Sequence, residues 1–381
     1  IVPEVVKVVL SGRKIAKKEM QTLEKSGSQD NETKSKIASL NAKQMAFKIL
    51  ANALYGAISN AGFRYFDLRI AEAITITGQA SDRHIEKTLN GFMNAILQTH
   101  NVDYVIAGDT DSVYLNMDPL VKKVFAGKEV SKEKVVNFID KVCADKLQEA
   151  IHGSIDLIYL IGNCYEKTMD MKREVIASKG IWTAKKRYAV MVHNSEGITY
   201  DPYKLKVMGL DLIKSSTPQY IRKKLKDALI TIFEKDQEGL YQFVSQLKEE
   251  FMKSPVEDIS FPRSVNDMEK YRDKNSIYGM KCPIAVRGAL LFNHYNRENK
   301  TIPQIRSGDK VKFAYLRTPN PIREDVISFL SHDTLPEGMG LHKYVDYEKM
   351  WESVFIAPLK SITDAIGWQA EKTSSLEDFF S

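Results

Sequence analysis

The sequence predicts an α+β chain in which helical and antiparallel β segments follow one another in blocks. Three observations predict it. Apolar residues recur near a 3.6-residue period over about 5–23 and again over about 33–58, separated by the turn-forming Ser26-Gly-Ser-Gln-Asp-Asn31. Two short apolar runs, Tyr104-Val-Ile-Ala and Val113-Tyr-Leu, flank Gly108-Asp-Thr-Asp-Ser112, the pattern of a β-hairpin with a polar tip. Residues 173–210 are rich in strand formers, and helical patterns resume after Ser215.

The elements follow in order. Pro3 suits the first turn of a helix, and the two periodic segments read as an antiparallel helical hairpin. Residues 67–98 read as a long amphipathic helix and residues 131–152 as another. Val175-Ile-Ala, Tyr188-Ala-Val-Met-Val and Gly197-Ile-Thr-Tyr200 read as strands. Ser215-Ser-Thr-Pro218 is a helix start, with a hydroxyl as N-cap and Pro at the first position. Helices are expected to about Lys235 and from Gly239 to about Lys253. Residues 254–345 read as loop-rich with short elements, helices return near 346–367, and Thr373–Ser381 read as a tail.

Composition narrows the function classes. The 381 residues are 43% hydrophobic and 27% charged, which excludes a wholly disordered or collagen-like chain. No apolar run reaches the length needed to span a bilayer. Cys143, Cys164 and Cys282 are an odd set without a CxxC pair, which excludes a disulfide scaffold or zinc finger and suits a reducing compartment. The net charge is +6. Residues 1–60 hold ten Lys/Arg against five acids, and residues 172–187 hold six against Glu174 alone, so positive charge is localised in two segments that would attract phosphates.

Three constellations carry chemistry. Asp109 and Asp111 are two apart at the hairpin tip, which predicts that both carboxylates point the same way. Such a pair suits hard divalent cations that clamp phosphate oxygens, although a solvated turn has the same composition. Lys48, Asn52 and Tyr55 lie at i, i+4 and i+7 on one helical face, with Gln44 one turn earlier and Gly56 leaving room for close approach. Arg13 and Lys17 share a face of the preceding helix and would join Lys48 if the hairpin folds back, making a surface suited to a triphosphate; ordinary surface charge is the plain alternative. Lys185-Lys186-Arg187-Tyr188 would lead into a strand, as residues meeting a nucleic-acid backbone or as a charged strand end.

The joint order of these motifs resembles the family B DNA polymerases, and among them the replicative enzymes of T-even-like phages. KILANALYGAISNAGFRYFDLRIAEAITITGQ (48–79) is similar to their second polymerase motif and following helix, and AGDTDSVY (107–114) to their third. SKGIWTAKKRYAV (178–190), KVMGLDLIKSSTP (206–218), KCPIAVRGAL (281–290) and the tail SSLEDFF (374–380) also match stretches of those enzymes.

The resemblance implies a right-hand polymerase with an incomplete palm. Residues 1–60 would be helical fingers, and 61–214 the C-terminal part of the palm, with an antiparallel sheet and packed helices. Residues 215–372 would be a mostly helical thumb, and 373–381 a clamp-binding tail. It implies that Arg13, Lys17, Lys48, Asn52 and Tyr55 bind the incoming nucleotide. Asp111 and Asp109 would be the catalytic metal-binding carboxylates for two Mg²⁺, with Mn²⁺ as a substitute, and Glu174 would lie nearby. Lys185, Lys186, Arg187 and Tyr188 would contact DNA, while Leu376, Phe379 and Phe380 would anchor a sliding clamp. The implied partners are primer–template DNA, dNTPs, the clamp and an upstream polymerase/exonuclease segment, in the host cytoplasm.

The sequence departs from that family at Ala53, where close relatives have Ser, at Lys172, where they have Asp, and in a shorter fingers hairpin. The family's Asp-x-x-Ser-Leu-Tyr-Pro motif, which supplies another essential aspartate, does not occur here. The expectation is a fragment or split C-terminal half that is inactive without an upstream part. The alternative is a non-catalytic polymerase-like subunit that grips DNA or clamp; a nuclease built on the Asp109–Asp111 pair ranks last, because it leaves the Lys48 face and the Lys185–Tyr188 run unexplained.

Overall fold

The two N-terminal periodic segments form helices α1 (Val2–Lys25) and α2 (Asn31–Ile58). The computed structural model describes residues 2–28, 30–109, 111–273, 276–298 and 302–372. Asp30 starts α2: its carboxylate accepts the Thr33 N–H at 2.7 Å, satisfying one donor that the first turn leaves unpaired. Val9 and Ala16 form the buried stripe of α1, and Leu40 and Gln44 that of α2. Between them Gly12 faces Phe47, where a Cβ would come within 2.7 Å of the ring. That approach fixes the level at which the two helices pack.

Helix α3 (Leu68–Leu97) is capped by Asp67, which accepts the Arg69 N–H at 2.9 Å. Its buried residues Ser81, Ile85, Leu89 and Met93 are spaced by four, so one stripe meets the core. Strands β1 (Val105–Asp109) and β2 (Ser112–Leu115) pair antiparallel, Asp109 opposite Ser112 and Val105 opposite Leu115, with an irregularity between Val105 and Ala107. The hairpin leans on α3 through two asparagines one turn apart. Asn90 Oδ1 accepts the Tyr104 and Val105 N–H groups at 2.7 and 3.1 Å, and Asn94 bonds both backbone groups of Val102.

Short α4 (Asp118–Val124) leads to α5 (Lys132–Val142) and α6 (Gln148–Ile161), joined by a π-helical turn over Cys143–Leu147. The helix expected to stop at 152 continues to 161, because Ile155 still packs into the core made by Ile85, Leu89, Val105, Leu147 and Ile151. Strands β3 (Val175–Ala184), β4 (Arg187–Ser195) and β5 (Ile198–Met208) then form a three-stranded sheet in that order.

The start of α7 (Gln219–Glu234) differs from the sequence expectation. Pro218 itself is the extended cap residue, no side chain caps the helix, and Thr217 is buried. α8 (Gln237–Phe251) begins at Asp236, whose carboxylate accepts the Gly239 N–H at 2.9 Å. After short α9 (Val256–Ile259), the stretch expected to be loop-rich contains an antiparallel sheet. Its strands are β6 (Phe261–Ser264), β7 (Lys310–Tyr315) and β8 (Val326–Leu330), in the order β6-β7-β8.

Helix α10 (Ile284–Tyr295) lies on β8 so closely that a Cβ at Gly288 would be 2.4 Å from Ser328 Oγ. The C-terminal helices α11 (Tyr347–Trp351) and α12 (Ala357–Thr363) flank a π-helical turn. They close an aromatic core in which Trp351 meets Phe251 edge-on at 5.1 Å and stacks on Phe355 at 4.6 Å. In the region expected to be a mostly helical thumb, helices make up most of the regular structure, and the short strands β6–β8 lie among them.

The chain divides into two compact units. One comprises Ile1–Ser178 and Met191–Leu205, the other Lys179–Val190 and Lys206–Ser381. The division passes across the β3–β5 sheet. The helical hairpin and the Asp109–Asp111 hairpin belong to the same unit.

Candidate functional site

Strand β1 ends at Asp109, whose carbonyl accepts the Asp111 N–H at 2.6 Å. Asp111 is exposed and Asp109 half-buried. A third carboxylate, unanticipated from sequence, faces this tip. Asp82 follows Ser81 of the buried α3 stripe and is half-buried. Burial first, then the charges of Asp111 and Asp109, push its carboxyl up to about 6. The signal was present in the helical period: a residue next to the stripe lies at the margin of the buried face.

Negative charge on Asp109 and Asp111 that holds a proton on Asp82 is charge a hard divalent cation would relieve, so the residues fit Mg²⁺ chemically. Among the described residues no group of three or more His, Cys, Asp or Glu is arranged to hold a metal alone. Water and substrate phosphates would complete the coordination, as Mg²⁺ prefers.

The Gly12–Phe47 contact sets Arg13 and Lys48, their chain neighbours, at one level of the hairpin. Lys48, Asn52 and Tyr55 are all exposed on α2, and a Cβ at Gly56 would meet no atom within 4 Å. Gln44, expected on that face, is instead buried and donates to Asn41 Oδ1 at 2.9 Å. Arg13 is half-buried, and its Nε has no hydrogen-bond partner in the protein. Lys17 is paired: its Nζ lies 2.5 Å from Glu196 Oε1, in the turn between β4 and β5. Glu174 lies just before β3, and its carbonyl accepts the Glu196 N–H at 2.8 Å. Lys172 pairs with Asp170 at 2.8 Å.

Lys185 and Lys186 are the exposed two-residue turn between β3 and β4, not the strand itself. Lys186 has φ +62°, and Gly209 is pressed against it, a Cβ there lying 2.2 Å from the Lys186 carbonyl oxygen. Arg187 is partly occupied by Asp211 at 3.3 Å. Tyr188 is buried and stacks on Trp182 with ring centroids 6.3 Å apart. These four residues belong to the second unit, the carboxylates and the hairpin cations to the first. Leu376, Phe379 and Phe380 lie outside the described residues.

Residues 1–139 match the family described as DNA polymerase family B. The chain is 35% identical over 358 residues to the DNA-directed DNA polymerase of Escherichia phage RB69, covering 91% of this chain and 39% of that protein. It is 32% identical over 350 residues to the DNA-directed DNA polymerase of Enterobacteria phage T4, covering 89% of this chain and 39% of the other. A DNA polymerase of Thermococcus gorgonarius is 22% identical over 336 residues, 87% of this chain and 36% of its own length. The chain thus spans about two fifths of the length of the phage relatives it matches. The match to the family covers both the cationic hairpin and the paired aspartates, and the similarity to the phage enzymes runs through nearly all the rest: this chain belongs to DNA polymerase family B.

Proposed function

We propose that this chain performs the nucleotide-addition half of template-directed DNA synthesis in viral replication. In that reaction a primer 3′ oxygen bonds the α-phosphorus of a dNTP, the bond to the bridging oxygen breaks, and pyrophosphate leaves. The observation that carries the reading is the presence, in one unit, of an exposed Lys48–Asn52–Tyr55 face backed by Arg13 and of the Asp109–Asp111 tip. Lys48, Arg13 and Lys17 would neutralise the triphosphate, as point charges and a planar fork. Asn52 would support that site, and Tyr55, with open space over Gly56, would face the nascent base pair. Asp111 and Asp109 would hold two Mg²⁺, which supply charge stabilisation for the attacking and leaving oxygens.

Lys185 and Lys186 would bind duplex phosphates, with Tyr188 and Trp182 as the packed base of that turn. The tail anchors Leu376, Phe379 and Phe380 would tether the chain to a sliding clamp and raise the local concentration of primer ends.

An upstream polymerase/exonuclease segment is proposed as a partner. Leu68, Ile70, Ile74 and Ile76 on the first half of α3, and Ile106 on β1, are each about half exposed or more, and β1–β2 is a sheet of only two strands. Apolar residues in that density beside a small sheet suit a covering polypeptide.

Primer extension tests the reading. With Mg²⁺ and the upstream segment added, the wild-type chain extends a primer, and Asp111→Asn cuts the rate by more than tenfold while duplex affinity stays within about twofold. An Asp111→Asn enzyme that keeps more than a tenth of the rate removes Asp111 from the reaction. Robust extension by the isolated chain removes the need for the partner.

A further inference from the structure

The ion pair made by Lys17 joins a residue of the proposed nucleotide face to a turn that has no part in the chemistry above. Its construction is specific. Lys17 and Gln21, one helical turn apart on α1, grip the two oxygens of a single carboxylate: Lys17 Nζ is 2.5 Å from Glu196 Oε1, and Gln21 Nε2 donates to Glu196 Oε2. Glu196 holds that position at φ +51°, followed by Gly197 at +83°. A two-residue hairpin turn with both φ values positive favours Asn-Gly, and a glutamate at its first position stores backbone strain.

The turn is braced from beneath. Asn194 Oδ1 accepts from the Gly197 N–H at 3.1 Å and from Arg173 at 2.6 Å, and the Glu196 N–H is held by the Glu174 carbonyl at 2.8 Å. A strained, braced residue that presents its carboxylate to a phosphate-binding lysine has a use beyond closing a hairpin. The pair is about one-third exposed on each side, open enough for a competing anion to reach it.

We propose that Glu196 is a positioning residue that occupies Lys17 in the nucleotide-free chain and is displaced by the triphosphate, an inference that rests on the nucleotide reading above. One carboxylate offers a single negative charge to Lys17. A triphosphate offers several, and it gains Arg13 and Lys48 from the same hairpin at the same time. Glu196 therefore loses to a ligand that engages all three cations but competes well with a lone phosphate. It sets a threshold for the anion that the hairpin accepts, and it lowers nucleotide affinity by the strength of the pair it makes.

The experiment measures binding of inorganic tripolyphosphate and of dATP to the full chain by calorimetry, at two salt concentrations. Glu196→Asn is the main variant, since Asn suits the turn but is too short to hold Lys17, and Glu196→Gln is the second. Both are expected to bind tripolyphosphate about two- to fivefold more tightly, the range an exposed ion pair supports, and the gain should vanish when either is combined with Lys17→Ala. dATP should gain by the same factor as tripolyphosphate, because each has the same Lys17–Glu196 pair to displace. Unchanged or weaker binding in both variants, or the same gain in the Lys17→Ala background, overturns the proposal and leaves Glu196 as a turn residue. If Lys48→Ala binds both ligands as well as the wild type, the nucleotide reading itself falls, and this inference with it. If Lys48→Ala weakens binding while the Glu196 variants do nothing, only the displacement idea falls.

Discussion

Gly12 of α1 and Phe47 of α2 are in contact, the ring lying where a Cβ would stand, 2.7 Å from its Cζ. Residues 13 and 48 inherit their relative level from this contact. In Gly12→Ala, alanine's helix propensity contributes up to about 1 kcal/mol, while overpacking costs about 1–3 kcal/mol. The expected net result is a loss of about 1 kcal/mol with weaker nucleotide binding. Thermal denaturation and dATP titration check it, and Gly12→Ala with Phe47→Leu should recover most of both losses. A single variant as stable as wild type with unaltered affinity would show that the hairpin register does not depend on this contact.

Asp82 gives stability a pH dependence of defined sign. Its carboxyl is raised from 3.8 to about 6 in the folded chain by burial and by Asp111 and Asp109. Below the unfolded value both states carry the proton. As pH rises toward 6 the unfolded chain releases it first, so this group's contribution to stability falls and stays lower above 6. Asp82→Asn should therefore be more stable than wild type above pH 6, by about 1 kcal/mol once solvent screening of this half-buried group is allowed for. The gap should close toward pH 4. Saturating Mg²⁺ should narrow it at neutral pH, because a cation at Asp109 and Asp111 favours an ionised neighbour. Parallel melting curves of the two proteins from pH 4 to 7.5 would disprove this.

The two basic clusters should separate in their defects. Lys48→Ala should raise the apparent nucleotide KM and lower kcat, since it removes a charge proposed to face the triphosphate. Lys185→Ala should leave nucleotide use near normal, weaken duplex binding uniformly across sequences and reduce the salt slope by about one. Salt titrations of duplex affinity and steady-state kinetics with the upstream segment present tell them apart. A shared defect in duplex binding alone would merge the clusters.

Gly209 supports the Lys185–Lys186 turn from below. At φ +64° a side chain is already strained, and its Cβ would stand 2.2 Å from the Lys186 carbonyl, a backbone atom that cannot move alone. Gly209→Ala is expected to cost about 2–4 kcal/mol and to impair duplex binding beyond what Lys185→Ala does. Denaturant unfolding gives the first quantity; a cost under about 0.5 kcal/mol would mean that the turn relaxes freely.

Local pattern determined much of this protein. The helices at 2–25 and 68–97 and the Asp109–Asp111 hairpin are legible because each presents an amphipathic period or an apolar run bounded by turn residues, and the helix at 31–58 because a run free of Gly and Pro from 32 to 55 follows a turn and the capping Asp30. So was the order of motifs that marks the family. Helix α10 was not legible, because residues 285–293 are mostly buried on all sides and carry no polar face to betray a period. The β6–β8 sheet was not legible either, since Pro262 and the long excursion from 264 to 310 hide pairings that depend on distant chain.

At the site, sequence put Lys48, Asn52 and Tyr55 on one face because helical spacing alone does that. It could not bring Asp82 against Asp109 and Asp111, turn Gln44 inward, bury Tyr188 on Trp182 or join Lys17 to Glu196, 179 residues away. Those are relations between elements. They follow from which stripes of α1, α2 and α3 the core covers, and only the folded chain fixes that.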